Sequence, residues 1–231
     1  MVALGALIQL VPSVSRAISI ENGDTISVLT GGRLEYWEWE PSGFCSLVAD
    51  ELAQCGIKKG PFGIGLDRVK TADMLARLDS VIEASPAYAI LIPSCADYNP
   101  YTEPHPSESY TNNLREIMAK LKAANIKTII VTSYPRNSDS EFPPNHNSAE
   151  YNEAIRGMAQ EYGATLIDLT KILDEAEKPV PLDGSFAAMA LVNQIFAGEV
   201  LRVLGYSDQE VAARRKAWLD KPGLVTTPPK Y

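Results

Sequence analysis

Residues 87–100 read AYAILIPSCADYNP. The first part of this stretch, 87–92, is apolar without alternation, and Pro93 then opens a run of turn-forming residues. An unbroken apolar run between turn signals suits a strand buried on both faces, and such strands belong to parallel sheets covered by helices. Working outward, Met74, Leu75, Leu78, Val81 and Ile82 recur at helical spacing on one side, and Leu114, Ile117, Met118 and Leu121 on the other. Further strands are expected at 25–30, near 62–64, at 128–133 and at 165–168. Further helical stripes contain Phe44, Leu47, Val48 and Leu52, then Ile155, Met158 and Ala159, then Ile195, Val200 and Leu204 before Gly205. Strand and helix alternating from end to end predict an α/β chain, a three-layer α/β/α sandwich with about five parallel strands.

At 231 residues the chain suits one large domain, residues 1–231, with 1–16 as an N-terminal extension and 207–231 as a C-terminal helix and tail. Trp218 is expected to dock that helix on the body. With 45% hydrophobic and 22% charged residues the composition is that of an ordinary globular protein. The formal charge of −8 repels phosphate backbones, so no nucleic-acid partner is expected. The apolar opening, residues 1–11, is too short to span a bilayer and lacks the basic start of a leader. It reads as an ordered extension or edge strand, with an unusual leader as the alternative, so secretion stays open.

Cys45, Cys55 and Cys95 are odd in number and form no CxxC pair. On a shared helix Cys45 and Cys55 would stand about 15 Å apart, too far to bridge. Free thiols favour a cytoplasmic or recombinant intracellular setting. Asp168, Asp174 and Glu175 have no histidine near them in sequence, so no metal site is read. The glycine-rich GPFGIG at 60–65 has the wrong spacing for a phosphate loop and reads as a turn. No cofactor is implied. The long loops at 97–106 and 135–147 follow strands and should lie at the carboxyl edge of the sheet, where ligands bind.

The ordered segments resemble the SGNH/GDSL hydrolase family from about residue 20 to residue 205. ENGDTISVLTGGRLEYWEWEPSGFCSLVADELAQCGI has the layout of that family's turn, strand, Gly-Asp-Ser block and helix. GLDRVKTADMLARLD is similar to the segment opening with the oxyanion-hole glycine, and AYAILIPSCADYNP to the run ending in Gly-x-Asn-Asp. YTNNLREIMAKLKAANIKTIIVTSYP and YNEAIRGMAQEYGATLIDL look like the helix–strand units that follow. PLDGSFAAMALVNQIFAGEVLRVLG resembles the Asp-x-x-His segment and closing helix. The resemblance implies a flavodoxin-like SGNH fold, ester hydrolysis as the ancestral activity, Asp183 and Gly65 as retained family positions, and Gly63 as an alternative to Gly65.

The family's chemistry needs a serine activated by a histidine that an aspartate orients, with backbone amides, a glycine and an asparagine stabilising the oxyanion. This chain departs from that set. The block after the first strand falls at Thr30-Gly31-Gly32 or Gly31-Gly32-Arg33, so Gly32 or Arg33 replaces the serine. If the block were instead Gly23-Asp24-Thr25, Thr25 would be a hindered nucleophile; the plainer reading of Gly23-Asp24 is a turn. Ala96 replaces the asparagine and cannot donate, and Phe186 replaces the histidine. Cys95 reads as a packed thiol, since no histidine is near it in sequence. The chain's two histidines, His105 and His146, fall in the polar loops and read as solvated.

Residues 185–192, SFAAMALV, are apolar where the family is polar. They are either part of a pocket altered for another ligand or redesigned, or the buried start of the last helix. Residues 35–40, EYWEWE, alternate acid and aromatic and would either wall an apolar or sugar-like ligand or form an exposed edge. These readings converge on a small-molecule partner, apolar, acyl or carbohydrate, bound without ordinary serine chemistry. The alternative is an active enzyme with a substituted site, using Glu35 or Asp97 as a carboxylate base or Thr25 as nucleophile.

Overall fold

The computed structural model describes residues 25–30, 43–48, 58–59, 70–93, 97, 106–132, 148–176 and 186–220. Five strands, β1 (Thr25–Thr30), β2 (Lys58–Lys59), β3 (Tyr88–Ile92), β4 (Lys127–Val131) and β5 (Thr165–Ile167), form one sheet in the order β2-β1-β3-β4-β5. Every pairing is parallel, with Ser27 opposite Ala89 and Ile90 opposite Ile129. The helices are α1 (Phe44–Leu47), α2 (Thr71–Glu83), α3 (Glu108–Ala123), α4 (Ser148–Tyr162), α5 (Leu169–Asp174), α6 (Phe186–Val203) and α7 (Asp208–Asp220).

Strand alternation sorts the core into two layers. Tyr88, Ile90 and Ile92 pack with Ile26, Val28 and Val131 against α1, α5, α6 and α7. Ala89, Leu91 and Ile130 face α2, α3 and α4, whose stripes supply Met74, Leu78, Leu114, Ile117, Leu121 and Ile155. All five residues of β3 are buried, which is why its sequence is apolar at every position. The sheet between two helical layers is thus the expected three-layer sandwich.

Several boundaries differ from the sequence reading. The second strand is Lys58–Lys59, while residues 62–64 lie outside the described residues. This strand pairs on one side only, so neither of its positions needs to be apolar and no hydrophobic run marks it. β4 stops at Val131 and β5 at Ile167, because the next residues, Thr132 and Asp168, turn their side chains to hydrogen bonding. The run 185–192 proves helical from Phe186 onward, with Ala190 and Val192 buried and Val192 in the core cluster that covers the sheet.

α6 ends near Gly205, whose φ of +93° suits a residue without Cβ. α7 then folds back, and a Cβ on Gly198 would come within 3.2 Å of Val211 Cγ1, so a glycine there permits the close helix contact. Trp218 is buried on this body, as expected. Between the two helices the buried Glu199 pairs with Arg202, which also reaches Asp208 at 2.7 Å. Burial pushes the Glu199 carboxyl up, outweighing Arg202 and Arg215. Among the described residues no helix is long and apolar enough to cross a membrane.

Candidate functional site at the carboxyl edge of the sheet

The strand order reverses between β1 and β3: β2 lies beyond β1 on one side, and β4 and β5 beyond β3 on the other. A crevice outside the carboxyl ends of the strands at such a reversal is where open α/β sheets bind ligands. β1 runs directly into Gly31, Gly32 and Arg33, and β3 leads through Pro93 to Asp97. The described polar residues at this edge form two constellations.

The first surrounds Asp97, 8% exposed. Its Oδ2 accepts from the Thr71 backbone N–H at 2.8 Å and its Oδ1 from Thr71 Oγ1 at 2.9 Å. Thr71 is the first residue of α2, so a carboxylate meets an otherwise unpaired amide at the positive end of the helix. Thr71 Oγ1 in turn accepts from Asn113 Nδ2 of α3 at 3.3 Å. The N-terminus of α3 is separately capped by Ser107, whose hydroxyl accepts from the Tyr110 amide.

The second surrounds Asp168, directly after β5. Arg156 of α4 grips it through Nε at 2.8 Å and Nη2 at 3.0 Å, a two-point contact that matches the guanidinium fork to the carboxylate. Thr132 Oγ1 donates to Oδ1 at 3.2 Å, and the Lys171 amide of α5 does the same as a helix cap. The Thr170 amide donates to Thr132 Oγ1, and Asn152 donates to the Thr170 hydroxyl. Burial pushes the Asp168 carboxyl up, but Arg156, the Lys171 amide and Thr132 outweigh it and hold the group below its ordinary value. The bond to Asp168 raises Arg156 correspondingly. Both residues are charged and matched, which is the state of a structural clamp.

A third contact fixes α1 to α6. Asn193 Oδ1 accepts from the Phe44 amide at 3.3 Å, while the rings of Phe44 and Phe196 stand 4.5 Å apart. The helix that continues from the Asp183 segment is thereby pinned beneath the helix that follows β1.

Of the sequence candidates, the structure places Asp97 at the carboxyl edge and Thr25 at the first position of β1. Since β1 runs toward that edge, Thr25 lies about 16 Å from it, at ~3.3 Å per residue. Phe186 opens α6. Gly31, Gly32, Arg33, Glu35, Gly65, Ala96, Asp183, His105, His146 and Cys95 lie outside the described residues. Asp168 is engaged with Arg156, whereas Asp174 and Glu175 are exposed at the far end of α5, about 9 Å along its axis. Among the described residues no group of three or more His, Cys, Asp or Glu is placed to hold a metal. Sequence reasoning missed Thr71, Asn113, Thr132, Arg156 and Asn193. The only available signal was Asp168 ahead of a short apolar stretch, an N-cap pattern.

The GDSL-like lipase/acylhydrolase family model matches residues 23–187. No curated protein sequence matches the chain. Among solved structures, the acetylxylan esterase Axe2 from Geobacillus stearothermophilus is similar with a TM-score of 0.64 and 16% identity, covering 82% of this chain and 98% of that one. The acetyl xylan esterase AlAXEase gives 0.59 and 17%, covering 78% and 99%. An α/β hydrolase enzyme, LAE5, from the metagenome of Lake Arreo in Spain gives 0.60 and 15%, covering 80% and 97%. At these identities the likeness is one of fold.

Proposed function

Because this chain belongs to the GDSL-like lipase/acylhydrolase family, we propose that it binds an acyl ester or acylated carbohydrate at the β1–β3 reversal without hydrolysing it. The observation that carries this reading is the set of replacements at the three reacting positions. Gly32 or Arg33 stands for the nucleophile, Ala96 for the oxyanion asparagine and Phe186 for the base, while Asp183 remains. A hydroxyl without a paired imidazole is a weak nucleophile at neutral pH, and removing triad members costs many orders of magnitude in turnover.

The geometry also narrows the active-enzyme alternative. Both carboxylate oxygens of Asp97 accept a hydrogen bond from Thr71, which weighs against its service as a base. Thr25 lies at the opposite edge of the sheet. Glu35 is the other carboxylate of that alternative.

Two measurements on the purified chain test the reading: p-nitrophenyl acetate hydrolysis, and calorimetric titration with an acetylated xylo-oligosaccharide. The probe is chosen because two of the structural neighbours are acetylxylan esterases. Binding heat with no turnover above background is the expected result. Turnover abolished by Glu35→Gln replaces the reading with an active enzyme, and the absence of both binding and turnover overturns it.

A further inference from the structure

Thr71 is the meeting point of three segments that are distant in sequence. Its amide and hydroxyl both bond Asp97, beyond β3, and its hydroxyl also accepts from Asn113 on α3. Thr71 is fully buried and Asp97 nearly so, so water competes little for these bonds. We infer that Asp97 is a positioning residue, which holds the chain leaving β3 and the chain entering α2 at a set separation. The inference rests on the reading above, that ligand lies at this edge.

Chain connectivity carries the tie to the ligand side. Ala96 is one peptide bond from Asp97, and the segment bearing Gly65 runs into Thr71. Alanine at position 96 supplies no side-chain donor, and the inference assigns the holding of a carbonyl oxygen there to backbone N–H groups. Such groups act only when their spacing is fixed to within about half an ångström. A bidentate carboxylate on the first residue of a 13-residue helix supplies that rigidity.

The test uses a chain in which Ala96→Asn and Phe186→His are combined with Gly32→Ser, or in a parallel chain with Arg33→Ser. p-Nitrophenyl acetate turnover is expected to appear in one of them. In that background Asp97→Ala is expected to lower kcat about 10- to 100-fold with KM little changed, as displacement of a reacting group by about an ångström does. Thr71→Val, which keeps the volume but loses the hydroxyl, is expected to lower kcat about 5-fold, the worth of one hydrogen bond, and Thr71→Ser to retain it. A full kcat in folded Asp97→Ala overturns the inference.

If neither restored chain turns over, the reading of lost catalytic positions fails, and the unaltered chain decides the tie by amide hydrogen exchange. Asp97→Ala is expected to speed exchange at residues 68–71 and 94–97 together, by tenfold or more. Acceleration confined to one of the two segments, or none, overturns the inference.

Discussion

Asp97 and Asp168 occupy related places, each following a parallel strand at the carboxyl edge and each accepting from the first turn of a helix, yet they are held differently. Asp168 is gripped by a guanidinium and caps the helix that follows it in sequence, so it locks its own strand–helix junction to α4. Asp97 accepts from the neutral amide and hydroxyl of Thr71, on a helix 26 residues upstream. One corner of the edge is closed by matched charges, whereas the other is tied across the strand reversal by dipoles. The charged clamp serves the fold, and the neutral tie lies where the ligand is proposed to bind.

The largest expected effect is that of Asp168→Ala. It strands a half-buried Arg156 and uncaps α5, at a cost of about 3 kcal/mol after allowance for the solvent that Arg156 still reaches. Urea unfolding monitored by circular dichroism measures it. Asp97→Ala is expected to cost somewhat less, about 2 kcal/mol, since the two Thr71 donors it leaves unpaired are neutral. If the two variants reverse in order, the contrast between clamp and tie is broken.

The acid limb of stability sharpens the same contrast. The folded-state pKa of Asp168 is depressed, so its contribution is present above the unfolded-state value and is lost as pH falls through the lower folded one. Asp168→Asn is therefore expected to flatten the decline of the urea midpoint below the ordinary carboxylate range. Glu199 works in the opposite sense: its pKa is raised by burial, so its contribution is present at low pH and lost as pH rises through that raised value. A chain whose acid limb is unchanged by Asp168→Asn would show that the clamp is not what titrates.

The smallest expected effect concerns a hydroxyl unlike that of Thr71. Ser27 Oγ is buried on β1 with no hydrogen-bond partner among the described residues, facing the α2–α3 layer because its neighbours Ile26 and Val28 face the other. Ser27→Ala removes a desolvated donor at little loss of volume and is expected to stabilise the fold by about 0.5–1 kcal/mol, read as a rise in melting temperature. A fall instead would mean that this hydroxyl is satisfied in solution.

Much of the sandwich was legible in the sequence because burial on two faces leaves continuous apolar runs and burial on one leaves stripes. Tyr88–Ile92 and the Leu114, Ile117, Met118, Leu121 stripe are the clearest cases. The strand Lys58–Lys59 was not legible, since an edge strand is held by backbone pairing rather than by its side chains. The run 185–192 was ambiguous because a pocket wall and a core helix are both apolar; the backbone is helical from Phe186. In the candidate site, the replacements proposed at Gly32 or Arg33, Ala96 and Phe186 rest on resemblance alone. The bonds between Asp97 and Thr71 were not legible.

By itself the sequence determined the alternation of strands and helices and the acidic charge, because these depend on residue type and spacing along one chain. Only the tertiary structure decided which carboxylates are spoken for. Thr71 meets Asp97, and Arg156 meets Asp168, across separations of 26 and 12 residues, and no local periodicity encodes such pairings. They arise where parallel strands deliver their carboxyl ends to the amino ends of neighbouring helices, and that juxtaposition exists only once the sheet has formed.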